Sequence, residues 1–406
     1  YFLLVETFGD VPLVLEPTTS PTFGWQRTPE KDVYTQIIKD LTDAMNVLPA
    51  TTADFGRVTK GMAQHLLAKV YLTRGYKSYG GGNSDFTQAA NLATDLITNG
   101  GYSLVTSYSK LFDPTVSGFQ KNTEIIFSVQ YSTTTASNGA GNYLQQLYLW
   151  DTQSITPIGR SAFYNKPNYV CSPTPFFFSN FDKTNDSRYS ATVWDAIMAQ
   201  TSGSLTRSLD NQKLSFVAGD TVIYYPATAW TDAQKLTKKY FVINPDEYRK
   251  NFFTLSRSYP EFKKFRDPSV TSFTDGGGTR DTYIFRLGET YLIAAEAYLK
   301  LGDPKALIYF NAVRTRAAKS GKELAMQASS ITIDDILDER ARELSGEEFR
   351  WFELKRTGKL IERVIAHNEE ASAANSSGID AHYLLRPIPQ SQIDLNRGDF
   401  PQNSKY

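Results

Sequence analysis

One short motif occurs at two distant places in the chain, and it restricts the possible folds more than any other feature. The segments AKVYLTRG (68–75) and AEAYLKLG (295–302) share Ala, Tyr, Leu and Gly at identical spacing, and an amphipathic segment follows each. A tetratricopeptide-type helix pair needs small residues where its helices approach, a large ring between them and Gly at the turn. We therefore predict a mainly α-helical fold with tetratricopeptide-like helix pairs.

Hydrophobic periodicity places further helices in the N-terminal part of the chain. Apolar residues including Val33 and Ile37 recur every three or four positions, after the start signals of Pro29 and Glu30. Similar patterns predict helices from about 60 to 74 and from about 85 to 97. The chain opens at YFLLVETFG, without an initiator Met or a signal peptide, so we expect the natural protein to have an additional N-terminal part.

The sequence between the two motif copies has a different pattern. EIIFSVQY (124–131) alternates apolar and polar residues, as a half-buried strand does, and TVIYYPATAW and KKYFVIN are further short β-type runs. Clusters of Gly, Ser and Thr surround them and predict surface loops. We expect one unit with a helical scaffold at 1–110, a loop-rich, aromatic-rich ligand-binding region with short β-strands at 111–282, and a second helical scaffold at 283–406.

The composition excludes several classes of function. Lys plus Arg and Asp plus Glu number 43 each, so no net charge attracts nucleic acid or an anionic membrane surface. The single cysteine, Cys171, excludes an intrachain disulfide, and three scattered histidines do not suggest a metal site. We predict no cofactor, no metal and no catalytic residue.

The stretch DERARELSGEEFRWFELKRTG (338–358) is the densest group of acids and raises the alternative of a carboxylate-pair glycosidase. Glu339 and Glu343 lie one helical turn apart, which suits the ~5 Å carboxylate separation of a retaining glycosidase. The neighbouring arginines argue against catalysis, because they keep carboxylates ionised. We predict helix-surface ion pairs of Arg342 with Asp338 and Glu339 instead.

A second pair of acids, Glu289 and Glu296, lies on one face of a mostly apolar helix. Buried charges must be paired, so we predict that Arg286, Arg314 or Arg316 neutralises them. The acids of FDKTNDSRY (181–189) resemble calcium ligands, but the segment lacks the central Gly and distal Glu of a calcium loop. We predict a capped turn there.

Aromatic residues in polar loops are the remaining candidates for binding. A sugar presents C–H faces to a ring and hydroxyls to amides and carboxylates, so a ring and an amide in one loop suit a glycan. The candidate ligand-binding residues are Asn142, Tyr143, Tyr148, Trp150, Trp194 and Trp230.

Several motifs together resemble one known family. They are GDVPLVLEP near the start, RVTKGMAQHLLAKVYL, NDSR (185–188), RLGETYLIAAEAYLKLGD, ILDERARELSGEEFRWFELKRTG and the tail YLLRPIPQSQIDLNRGDFPQNSKY. In this order they resemble the SusD/RagB family of bacterial outer-membrane lipoproteins. The resemblance implies a SusD-like fold and non-catalytic capture of an oligosaccharide or polysaccharide at the cell surface.

The resemblance also implies partners and a location. The protein is expected to deliver its ligand to a SusC-like TonB-dependent outer-membrane transporter, on the extracellular face, held by a lipid anchor outside this chain. Family ligand residues lie in variable regions, so no site residue is carried over by motif. A tetratricopeptide-type adaptor for proteins or peptides remains an alternative, as does the glycosidase.

Overall fold

The chain divides into two units that alternate along the sequence. The computed structural model describes residues 1–149, 155–159, 171–250, 258–347, 350–373 and 378–406. The first unit comprises 1–103, 285–313 and 328–406, and the second comprises 104–284 and 314–327.

Helices dominate the first unit and are short in the second. In chain order they are α1 (Phe2–Phe8), α2 (Glu30–Val47), α3 (Lys60–Gly75), α4 (Asn83–Asn99), α5 (Thr135–Asn138), α6 (Leu144–Leu147), α7 (Pro175–Ser179), α8 (Arg188–Thr192), α9 (Asp232–Leu236), α10 (Leu287–Lys300), α11 (Lys305–Ala317), α12 (Ile333–Glu343), α13 (Arg350–Arg356), α14 (Leu360–His367), α15 (Glu369–Ala373) and α16 (Gln390–Asn396). Single 3₁₀ turns lie at Tyr108–Leu111, Pro245–Glu247 and Ala381–Leu384. The prediction of a mainly α-helical fold is confirmed.

The strands are short and form small sheets. They are β1 (Ile125–Val129), β2 (Val193–Trp194), β3 (Ala196–Met198), β4 (Gly203–Arg207), β5 (Gln212–Phe216), β6 (Thr221–Tyr224), β7 (Phe241–Val242), β8 (Glu261–Phe262) and β9 (Thr282–Arg286). The sheet orders are β1-β9, β2-β8, β3-β6-β7 and β4-β5. β2-β8, β3-β6 and β4-β5 are antiparallel, whereas β6 and β7 run parallel. Strands occur at all three places where the sequence predicts β-type runs.

The two motif copies pack in one core of the first unit. Ala68 and Leu72 of α3 lie in the same buried cluster as Ala297 and Tyr298 of α10, together with alanines of α4. Alanine at these positions lets the helix axes approach, while the larger side chains fill the remaining space. Ala295, the residue of the second copy that corresponds to Ala68, lies in a different buried cluster with Leu292 and Phe310.

The glycines that end the two motif copies have different structural roles. A Cβ on Gly75 would lie 2.6 Å from the Phe86 ring, so this glycine permits close packing of α4 on α3. Gly302 has a φ of +70° with open space around it. It is the left-handed residue that ends a helix, which glycine adopts without steric cost.

The acids on α10 are buried and paired, although with cations other than the predicted arginines. Lys69 Nζ lies 2.6 Å from Glu289 Oε1, and Arg340 Nη2 lies 3.0 Å from the same oxygen. Arg356 contacts Glu296. The named arginines contact other groups: Arg286 pairs with Glu343, Arg314 donates to the carbonyl of Met326, and Arg316 pairs with Glu124. The prediction of pairing was right and the partners were wrong, because distant helices supply them.

The acid-rich stretch around α12 is a buried network, and the prediction of a solvated helix surface was wrong. Glu339 does bond to Arg342, at 2.6 Å, but Glu339 and Glu343 are 0% exposed. Asp338 pairs with Arg363 of α14 at 2.5 Å. Tertiary packing of α12 between other elements buries charges that local spacing places on an exposed face. A polysaccharide has no access to the two carboxylates of the glycosidase hypothesis.

The core of the second unit is rich in aromatic rings. Phe178, Phe181, Tyr189, Phe216, Tyr225, Phe241, Tyr248 and Tyr259 are all buried in one cluster. Offset and edge-on packing of rings lets such a core form from short strands and loops. Much of the aromatic content of the chain therefore stabilises this unit.

Candidate functional site

A cleft in the second unit contains one of the predicted tryptophans. Its volume is about 330 Å³, near the lower end of the ~300–1,000 Å³ typical of small-molecule sites. Its lining consists of Ser109, Phe112, Asp113, Pro114, Thr115, Ser190, Ala191, Trp194, Lys263 and Arg266. We call it the Trp194 cleft.

The backbone of β2 holds Trp194 in a fixed position. Val193 pairs with Phe262 and Trp194 pairs with Glu261 across the β2-β8 ladder. Val193 is buried in the core, and its neighbour Trp194 is only partly buried and packs against the edge of that core. Successive strand residues point to opposite faces, so anchoring Val193 turns the indole toward the cleft.

A buried ion pair positions the wall formed by α8. The Arg188 guanidinium donates to both carboxylate oxygens of Asp186, at 3.0 and 2.8 Å, and both side chains are almost fully buried. The Arg188 amide also donates to Asp186, at 2.8 Å. These bonds fix the start of the helix that carries Ser190 into the lining. The NDSR segment thus supports the cleft from behind.

Another part of the lining is a turn built around Asp113. Its Oδ1 accepts hydrogen bonds from the Thr115 hydroxyl at 2.7 Å and the Thr115 amide at 2.9 Å. The pKa of Asp113 is lowered by the bond from the Thr115 hydroxyl first and by the amide second. An ionised carboxylate and a hydroxyl are therefore held at the rim.

The lining also includes a partly buried lysine, Lys263. The Lys263 amide donates to the Thr192 carbonyl at 2.8 Å, which ties this segment to the end of α8. Burial lowers the pKa of Lys263, and the attraction of Asp195 and Asp113 opposes the effect without cancelling it. Its ammonium is thus held where water solvates it incompletely.

The combination of groups in this cleft suits a sugar. A sugar ring can stack its C–H face on the indole of Trp194 while its hydroxyls meet Asp113, Ser109 and Ser190. Polar groups at fixed positions around an apolar surface give orientation and selectivity. The indole, the hydroxyls and the charges are all present on one small surface.

The residues predicted in NYLQQLYLW have varied placements. Asn142 is buried; its Nδ2 donates to the Arg280 carbonyl at 2.6 Å and its Oδ1 accepts from the Leu144 amide at 2.8 Å. Tyr148 stacks on Phe262 with ring centroids 4.9 Å apart. Tyr143 is 40% exposed and is open to solvent. Asn142 and Tyr148 thus hold loops and rings together, and Tyr143 alone of these three offers a ring at the surface.

A second predicted tryptophan, Trp230, lies outside the lining of the Trp194 cleft. Trp230 is partly buried, with its ring 5.6 Å from that of Tyr224 and with Lys238 Nζ 5.5 Å from its centroid. The nearby Tyr240 lines a separate, open cleft of about 470 Å³. Trp150 lies outside the described residues. Of the candidates in the described ranges, only Trp194 contributes to the lining of the Trp194 cleft.

Sequence reasoning missed most of the cleft lining. Asp113, Thr115 and Lys263 come from segments far apart in the chain, LFDPT and FKKFRDP, and neither segment is a binding motif on its own. The Asp-Pro-Thr run does signal a turn with an exposed carboxylate. The pairing of β2 with β8, which brings Lys263 beside Trp194, leaves no local signal.

No metal site accompanies the cleft in the part of the chain that the structure describes. Among those residues no group of three or more His, Cys, Asp or Glu side chains could hold an ion. Asp182 accepts from the amides of Thr184 and Asn185 at 3.0 and 3.1 Å, which matches the predicted capped turn. Cys171 is partly buried, and burial raises the pKa of its thiol, so it is a poor nucleophile.

Two family models match most of the chain. A model described as the SusD family matches residues 123–406, and one described as starch-binding associating with outer membrane matches residues 1–72. No described helix is long and apolar enough to cross a bilayer.

Curated relatives match along nearly the whole chain. A SusD-like protein of Formosa agariphila is 28% identical over 422 residues, covering 100% of this chain and 72% of that protein. A SusD-like protein of Bacteroides ovatus is 26% identical, and the match covers 87% of this chain and 56% of that protein. The starch-binding protein SusD of Bacteroides thetaiotaomicron is 24% identical, and the match covers 100% of this chain and 70% of that protein. The chain thus spans between about half and three quarters of these relatives.

Solved structures share the fold. A laminarin-binding SusD-like protein has a TM-score of 0.65 at 24% identity, covering 100% of this chain and 76% of that one. A second structure is surface glycan-binding protein A from Bacteroides thetaiotaomicron in complex with laminarihexaose. It has a TM-score of 0.65 at 20% identity, and the match covers 99% of this chain and 74% of that one.

Proposed function

The chain belongs to the SusD family, and from this premise we propose that it binds glycan at the cell surface without cleaving it, with the Trp194 cleft as a binding surface. The observation that carries the proposal is the partly exposed indole of Trp194, held by a strand pair inside a small cleft with hydroxyls, a carboxylate and an ammonium. Relatives named for binding starch and laminarin support glycan as the ligand class.

Affinity in such a site comes from stacking and from oriented hydrogen bonds. Burying one face of a sugar against Trp194 removes apolar surface from water, and the indole is already fixed, so little conformational entropy is lost on binding. Asp113 and Ser190 supply acceptors and a donor to the sugar hydroxyls. Tyr143 and Trp230 are proposed as additional surface rings that contact a longer chain beyond the cleft.

The proposed partner is a SusC-like TonB-dependent transporter in the outer membrane. The protein would sit on the extracellular face, held by a lipid anchor outside this chain, and deliver its glycan to that transporter. The family model described as associating with the outer membrane supports this location. Co-purification of a TonB-dependent transporter with the tagged, full-length protein from outer membranes tests the partnership; recovery of the protein alone contradicts it.

The two alternatives have less support. The glycosidase hypothesis relies on Glu339 and Glu343, whose carboxylates are buried and bonded to arginines. An adaptor for peptides needs contiguous repeats that form a concave surface. The two motif copies lie instead in one core, with the second unit inserted between them in sequence.

The test is a titration of the protein with a panel of neutral oligosaccharides, read by tryptophan fluorescence and calorimetry. We expect at least one oligosaccharide to bind without release of reducing ends, and Trp194→Ala to weaken that binding about tenfold or more, because burying a large apolar side chain contributes ~1.5–3 kcal/mol. Trp351→Phe in the first unit is the matched control and should bind like wild type. Unchanged affinity in a folded Trp194→Ala variant contradicts the proposal.

A further inference from the structure

The lysine beside Trp194 suggests which chemical class of glycan this cleft takes. We propose that Lys263 makes the Trp194 cleft selective for an anionic saccharide, one that carries a uronate carboxylate or a sulfate ester. The inference rests on the proposed function, because it assigns a ligand class to the same site.

Lys263 lines the cleft, and among the residues that the structure describes it has no ion pair to neutralise its charge. Within the described part of the chain, no carboxylate oxygen lies within 4.0 Å of its Nζ, and its contacts with other residues are backbone hydrogen bonds. Two other partly buried lysines are paired with acids: Lys69 contacts Glu289 at 2.6 Å and Lys77 contacts Glu6 at 2.9 Å. Among the described residues Lys183 is partly buried without an ion pair as well, but its Nζ lies 4.2 Å from the centroid of the Tyr189 ring. Lys263 differs from it by lining a cleft, where an incoming anion can reach its side chain.

The charges that face Lys263 do not satisfy it. Asp113 is the carboxylate in the lining, and its Oδ1 accepts two hydrogen bonds from Thr115. Asp195 lies outside the lining, is exposed, and also attracts Lys183. Arg266 adds a second cation to the lining. The described lining therefore holds one carboxylate, that of Asp113, beside the side chains of Lys263 and Arg266.

Partial burial gives the ligand an energetic advantage at this position. An ammonium that has lost part of its hydration and has no counter-ion is costly, and an incoming anion offsets that cost with a charge-assisted hydrogen bond. The lowered pKa of Lys263, caused by burial, is consistent with this incomplete solvation. A neutral sugar gains only the stacking on Trp194 and the hydroxyl contacts.

The test compares charged oligosaccharides with their own neutral forms. Oligomers of galacturonate, glucuronate and mannuronate are titrated calorimetrically beside their methyl esters, and sulfated galactan oligomers beside the desulfated chains. We expect wild type to bind at least one charged form about tenfold or more tightly than its neutral form, the size of one charge-assisted bond. The uronate and sulfate arms distinguish the two sources of charge.

Two variants distinguish a specific role of Lys263 from a general attraction of the anion to the lysines of this unit. Lys263→Met keeps the length of the side chain and removes the charge, so its preference for the charged form should fall about tenfold from that of wild type, while its melting temperature stays close to the wild-type value. Lys239→Met removes an exposed lysine of the same unit and should keep the wild-type preference.

The outcomes distinguish this inference from the proposed function. Equal affinity of wild type for charged and neutral forms refutes anion selectivity and leaves glycan binding intact. An undiminished preference for the charged form in Lys263→Met refutes the role of this residue. Absence of binding to every charged and neutral oligosaccharide refutes the proposed function, and with it the inference.

Discussion

Glu353 of α13 connects the buried charges of the first unit, and replacing it with glutamine should destabilise the protein strongly. Its side chain is 1% exposed; Arg356 Nε lies 2.8 Å from Oε2, Arg340 lies 3.3 Å from the same oxygen, and Lys69 lies 3.2 Å from Oε1. The substitution preserves shape and leaves these three cations with one buried carboxylate fewer. Removing one partner of a buried ion pair costs ~3–5 kcal/mol.

Urea unfolding followed by circular dichroism measures this effect. With an m value of ~2–3 kcal/mol per M, the expected loss lowers the midpoint by about 1–2.5 M. Glu362→Gln is the matched control, because Glu362 is mostly exposed and pairs with Lys359 at 3.1 Å. An exposed pair contributes ~0–1 kcal/mol. If Glu353→Gln unfolds within about 1 kcal/mol of this control, the buried network does not stabilise the fold in the way its geometry indicates.

Two further predictions concern the same unit. Burial raises the pKa of both Glu289 and Glu353, but nearby cations outweigh it, Lys69 foremost for Glu289 and Arg340 foremost for Glu353, so both pKa values lie below 4.5. Because the pKa of each carboxyl is lower in the folded than in the unfolded protein, this stabilisation is present above pH 4.5 and is lost as the pH falls below it. Melting temperatures measured from pH 7 to 3 should show the decline, and a flat profile would contradict it. Gly75→Ala should lower the free energy of unfolding by ~1–3 kcal/mol through overpacking. Gly302→Ala should lower the free energy of unfolding by ~1 kcal/mol through backbone strain alone. If both variants unfold with the same free energy as wild type, neither close packing at Gly75 nor the left-handed backbone at Gly302 requires a glycine.

The helices of the first unit were predictable because their signals are local. The predicted helix from about 60 to 74 is Lys60–Gly75 in the structure, and the one from about 85 to 97 is Asn83–Asn99. Periodic apolar residues and glycine at the ends determine such elements within a few positions. The strand in EIIFSVQY is likewise Ile125–Val129.

The partners of buried charges were not predictable from spacing. Arg340 is close in sequence to Glu339 and Glu343, yet it contacts Glu289 at 3.0 Å from another helix. Spacing along one helix describes an exposed surface, and a tertiary contact that covers this surface replaces the local pairs. A stretch whose charges balance can therefore be solvated or buried, and the sequence pattern is the same in both cases.

The candidate site was predictable only through its ring. A tryptophan among polar neighbours, Trp194, stood out as a surface aromatic, but the same reasoning selected Tyr148, which packs against Phe262 and Phe265. The remainder of the cleft depends on the β2-β8 pairing and on the turn at Asp113, which bring together residues far apart in the chain. Non-local strand pairing of two residues leaves too short a pattern to detect.

A crystal structure of the protein with a bound oligosaccharide is the most direct test of the central claim. The oligosaccharide that binds most tightly in the titrations is used for co-crystallisation. We predict a sugar ring stacked on the indole of Trp194, with a hydroxyl in hydrogen-bonding distance of Asp113 and, for an anionic sugar, its charged group at Lys263 Nζ. A glycan bound elsewhere on the chain, with the Trp194 cleft holding only solvent, would contradict the account.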